Sequence, residues 1–116
     1  MHVIRVGAIR AYPAPGEPGV EHDAVRVGTD GIEGDRRKKA ALSLVGVDAP
    51  TTRANLVLDV STEAVEALQG GLLRIGDVLL AVEVTGTSCP GLYAAVGETG
   101  WVRVGDVVEP WASASQ

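Results

Sequence analysis

The sequence predicts an all-β fold, mainly short antiparallel strands in a closed or partly open β-barrel with one small helix. Three observations carry that expectation. Apolar residues make up 46% of the chain, and valine, which fits a pleated surface, is prominent among them. Fifteen glycines and six prolines supply tight turns. Short apolar runs of period 2 recur between those turns, as in a barrel or a two-sheet sandwich, which pattern alone does not separate.

Residues 2–12 read as a strand, with Ile4, Val6 and Ala8 in alternation and Gly7 as a bulge position. "PAPGEPGVEHD" (13–23) reads as a Pro/Gly loop. "AVRVGT" (24–29) is a short strand, and "DGIEGDRRKK" (30–39) a glycine-punctuated loop ending in four basic residues. "AALSLVGV" (40–47) and "RANLVLDV" (53–60) are strand-like, separated by the turn "DAPTT".

One helix is expected after Ser61. Ser61 can cap it, Glu63 favours the helix dipole, Val60 and Val65 can form a hydrophobic staple, and Gly70 can end it. "LLRIGDVLLAVEV" (72–84) and "WVRVGDVVEPW" (101–111) share an apolar-Arg-apolar-Gly-Asp-Val pattern and predict two similar hairpins in one sheet. Trp101 and Trp111 flank the second copy and fit core or rim packing. Residues 112–116 read as a flexible tail, and the 116 residues suit one domain.

The formal net charge of −5 disfavours nucleic acid and anionic membranes as partners. No apolar run approaches the roughly 20 residues that span a bilayer, and the start lacks the features of a signal peptide. One cysteine excludes an internal disulfide. A cytoplasmic protein is the expectation. His2 and His22 have no partner at zinc-ligand spacing.

Cys89, in "VTGTSCPGL", is either a soft thiolate at a strand end or a small buried apolar residue. Asp35 fits a turn-fixing acceptor. Arg36 can fork onto a phosphate or close an ion pair with Asp35. The run Arg36-Arg37-Lys38-Lys39 is either an anion lure or a solvated loop. Arg53 and Asn55, two apart on a strand, share a face and suit a polar ligand or neighbouring loops at a barrel rim.

Taken in order, "GIEGDRR" (31–37), "TTRANLVLDV", "LLRIGDVLLAVEVTGTSCPGL" and "VRVGDVV" resemble the MOSC domain, the β-barrel family named after the C-terminal part of molybdenum cofactor sulfurases. The resemblance covers residues 24–108, about three quarters of the chain. It implies a stand-alone domain that binds molybdenum cofactor, with Cys89 as metal ligand or sulfur carrier. Arg36 and Arg53 would hold the phosphate, Asn55 would meet the pterin, and Asp35 would fix the loop. It implies sulfur transfer or molybdenum-dependent reduction, and a sulfur- or electron-donor protein as partner. The pyridoxal-phosphate domain of fused sulfurases does not fit in this length. The alternative is a non-catalytic binding or scaffold barrel that has lost the cofactor, which the short chain and the Ser88-Cys89-Pro90 context favour. No oligomeric state is specified.

Overall fold

In the computed structural model, residues 3–14, 16–35, 41–49, 54–83 and 91–111 are described. Among them are eleven strands and one helix: β1 (Val6–Ala11), β2 (Val20–His22), β3 (Ala24–Gly28), β4 (Gly31–Ile32), β5 (Leu42–Val45), β6 (Leu56–Leu58), α1 (Thr62–Glu66), β7 (Leu72–Ile75), β8 (Val78–Val82), β9 (Leu92–Glu98), β10 (Gly100–Arg103) and β11 (Val108–Trp111). The large sheet runs β11-β7-β8-β9-β5-β6-β1-β2, and a small sheet runs β10-β3-β4. All pairs are antiparallel except β5 with β6.

The large sheet curls until residues at its two sides meet. The N–H of Val108 donates to the carbonyl of Ile4 at 2.8 Å, that of Gly105 to Val6 at 2.8 Å, and that of Val6 to Asp106 at 2.9 Å. Strand alternation supplies the core: in β8, Val78, Leu80 and Val82 are buried while Ala81 is exposed. One hydrophobic cluster unites both sheets, taking Leu44, Leu56 and Leu80 from the large one and Val25, Val27 and Val102 from the small one.

The helix starts as expected. Ser61 Oγ accepts from the N–H of Ala64 at 3.2 Å, and Glu63 lies in the first turn. Asp48 Oδ1 accepts from the N–H of Thr62 at 2.7 Å, and this bond holds the Asp48 carboxyl below the usual aspartate range. Helical geometry ends at Glu66, and turns carry the chain to Gly70.

Several expectations are corrected. The 13–23 loop contains β2, because the edge of β1 offers Val20–His22 a partner. The 30–39 loop contains β4, which folds back on β3. The longest strand, β9, lies where Ala94, Ala95 and Gly97 leave almost no hydrophobic alternation to read.

The repeat also diverges. Its first copy is the expected hairpin, with Ile75 opposite Val78. In the second copy the two strands separate: β10 pairs with β3 and β11 with β7. The residues between them are held by other elements, since Val104 donates to Asp23 and Gly105 to Val6. Trp101 and Trp111 lie on the rim, 41% and 45% exposed, so neither is core. The Arg74 guanidinium carbon sits 4.8 Å from the centre of the Trp111 ring, a cation–π contact.

Candidate functional site

The "GIEGD" motif builds a concavity of about 480 Å³ lined by Gly28 to Asp35. The β3–β4 hairpin shapes it. Gly31 has φ +111°, and a Cβ there would lie 2.2 Å from the carbonyl oxygen of Ala41, so glycine alone lets the hairpin lie against the start of β5. The described lining includes the acidic residues Asp30, Glu33 and Asp35. Arg26 Nε approaches Glu33 Oε2 at 3.4 Å, an exposed pair.

Asp35 fastens this hairpin to the end of β1. Its Oδ1 accepts from the N–H of Tyr12 at 2.7 Å, and its own N–H donates to Ile32 at 3.0 Å. Tyr12 in turn donates from its hydroxyl to the carbonyl of Ala54 at 3.4 Å.

Asn55 follows directly. It is the one buried polar side chain among the described residues. Its Oδ1 accepts from the N–H of Ser43 at 3.1 Å and lies 3.3 Å from Ser43 Oγ. Its Nδ2 donates to the carbonyl of Arg10 at 3.1 Å. The side chain thus links β1, β5 and the start of β6, where the parallel pairing begins. The partners are strands rather than the neighbouring loops expected of a rim residue, and Asn55 is buried.

Of the five residues singled out from the sequence, Asp35 bonds Tyr12, whose hydroxyl bonds Ala54, the residue before Asn55. Arg36, Arg53 and Cys89 lie outside the described residues, as do Arg37, Lys38 and Lys39. The residue that follows the Cys89-Pro90 pair, Gly91, sits at the far end of β5 from Gly31. A Cβ on Gly91 would lie 2.2 Å from the carbonyl oxygen of Leu44, and its φ is +88°. Its N–H donates to Glu66 Oε2 at 2.9 Å.

Sequence reasoning passed over Tyr12, Ser43 and Glu66. Tyr12 and Ser43 carry no local signal, since their partners are distant in the chain. Glu66 does carry one. A carboxylate in the last turn of a helix opposes the dipole, and no basic residue balances it there. Such a residue is explained by a partner elsewhere in the fold.

No helix among the described residues is long and apolar enough to cross a membrane. Among the same residues, no group of three or more His, Cys, Asp or Glu side chains is placed to hold a metal ion.

No protein-family model matches the sequence, and a search of curated proteins finds no match. Solved structures do match in shape. The crystal structure of the YuaD protein from Bacillus subtilis is similar with a TM-score of 0.74 at 12% identity, over 92% of this chain and 94% of that one. YiiM from Escherichia coli is similar with a TM-score of 0.63 at 17% identity, over 100% of this chain and 72% of that one. A hypothetical protein gives a TM-score of 0.72 at 15% identity, over 97% of this chain and 70% of that one. At these identities the likeness is one of fold.

Proposed function

We propose that the chain is a stand-alone MOSC-like domain that binds molybdenum cofactor and works through Cys89, in sulfur transfer or molybdenum-dependent reduction. The observation that supports this reading is the fold shared with YuaD and YiiM. The order of motifs along the sequence points the same way. A thiolate is a soft ligand and suits both a molybdenum centre and a carried sulfur atom. A cytoplasmic location and a partner protein that donates sulfur or electrons belong to the same proposal.

The described residues alone do not fit an anionic pterin. Asp35 and Asn55 are committed to backbone bonds, and the described lining of the concavity at Asp35 adds the acidic Asp30 and Glu33, which disfavour a phosphate. In this reading Arg36 and Arg53 would hold the phosphate and Cys89 the metal. No reaction step is assigned to the described residues.

The same commitment of Asp35 and Asn55 favours a second reading, a non-catalytic binding barrel that has kept the fold and lost the cofactor.

Molybdenum analysis separates them. The protein is purified from cells that make the cofactor, beside Cys89→Ser. Near-stoichiometric metal in the wild type, with most of it lost in the variant, is the expected result. Equal loading of the two proteins would remove Cys89 from the proposal. Absence of metal from both, even with the donor partner coexpressed, would favour the non-catalytic barrel.

A further inference from the structure

The described strands leave four outer edges, β11 and β2 in the large sheet and β10 and β4 in the small one. Three of them are closed. On β11 the N–H of Val108 points away from β7 and donates to the carbonyl of Ile4 at 2.8 Å. The next outward position on that strand is Pro110, which has no N–H to offer. On β10 the carbonyl of Trp101 accepts from the N–H of Asp77 at 3.1 Å, and the N–H groups of Trp101 and Arg103 donate to the carboxylates of Asp77 and Asp106 at 3.4 and 2.8 Å. On β4 the carbonyl of Ile32 accepts from Asp35, and Gly31 lies against Ala41.

The edge of β2 is different. Arg10 turns both its backbone groups towards Asn55, donating to its carbonyl at 2.8 Å and accepting from its Nδ2 at 3.1 Å. Alternation then points those of Ile9 and Ala11 at their β2 partners, His22 and Val20. Glu21, opposite Arg10, therefore aims its N–H and C=O away from β1, and among the described residues no group bonds them. An edge of this kind is where an extended peptide adds as a further strand. The side chains alternate too. Glu21 stands on the face of Arg10, whose Nε lies 3.3 Å from its Oε2, and its side chain is 70% exposed. Val20, 48% exposed, stands on the other face. Asp23 follows the strand, and the whole chain carries a net charge of −5. We infer that β2 is a docking edge for an extended basic segment of a partner protein, with a Lys or Arg opposite Glu21 and an apolar residue beside Val20. A second copy of this chain is the poorer occupant, because antiparallel pairing about Glu21 sets two glutamates opposite one another. This edge is independent of the cofactor.

The test follows the amides of the isotope-labelled protein by NMR during titration with acetyl-Ser-Val-Lys-Val-Ser-amide. The control is the same peptide with Glu in place of Lys. Shifts confined to β1 and β2, slower exchange of the Glu21 N–H, and half-saturation at or below about 1 mM are the expected result. The Glu peptide is expected to bind at least about threefold more weakly. Glu21→Pro removes the outward N–H at an edge position where proline is tolerated, so it should keep its thermal midpoint within about 5 °C and lose the peptide. If Glu21→Pro does not fold, Glu21→Lys replaces it and must reverse the preference to the Glu peptide. The inference is overturned by an absence of shifts at β2 up to about 5 mM peptide, by equal binding of the two peptides, or by undiminished binding to folded Glu21→Pro. Concentration-dependent shifts at β2 without peptide would overturn it too, since the occupant would then be a second copy.

Discussion

Asn55 sits where a parallel strand pair begins and a third strand passes. Backbone groups there point at one another from distant parts of the chain, and a side-chain amide can both donate and accept. Asn55 accepts from Ser43 and donates to Arg10, and its own N–H donates to Ser43. Leaving such groups unpaired in a part-buried setting is costly, so Asn55→Ala is expected to lose about 2–4 kcal/mol of stability. Urea unfolding measures this. A loss below about 1 kcal/mol would mean that water takes over the amide's bonds. The spacing of Arg53 and Asn55 marked the right residue as a polar position. Whether its partner was a ligand or the backbone depended on Arg10 and Ser43, and nothing near residue 55 in the sequence names them.

At the scale of elements, local rules succeeded where a structure closes on itself within a few residues. The Ser61 cap, the early Glu63 and the Ile75–Val78 hairpin are all settled by neighbours in sequence. They failed where an element exists only because a partner strand is offered, as for β2, β4 and β9. The β3–β4 hairpin illustrates the second kind of control. Its Gly31 is required by the backbone of Ala41, the residue just before β5. Gly31→Ala is expected to cost about 3 kcal/mol or more, from the strained φ and the backbone collision together. Gly71→Ala is the control, because its Cβ would meet nothing closer than 3.8 Å. It should change stability by no more than about 1 kcal/mol, as small surface changes do. Comparable losses in both variants, read from thermal melts, would show that the approach of the hairpin to β5 is unimportant.

At the scale of the molecule, the decisive contacts are those that bring the start of β1 against the chain leading into β11. They draw the curled sheet into a half-barrel, and they hold the chain between the two separated strands of the second repeat. If closure is part of the cooperative fold, the amides of Val6, Gly105 and Val108 should exchange as slowly as those of core strands such as β8. Hydrogen exchange read by NMR checks this. Fast exchange at these three positions, with β8 protected, would describe a sheet that curls without closing. The same scale limits what a site can be. Asp35 and Asn55 gather at one end of β5, and Gly91 is fixed at the other.

What the sequence by itself determined was the class of fold: valine-rich runs of period 2, punctuated by glycine and proline, bury one face and turn often, and an all-β fold follows from that. It also determined the helix start and one hairpin, because caps and tight turns are decided within a few residues. Only the tertiary structure decided which strands pair, that β10 and β11 part company, and that Asp35 and Asn55 bind backbone while Glu66 holds Gly91. Those outcomes depend on groups dozens of residues apart, and their hydrogen bonds form only once the sheet has curled and brought them together.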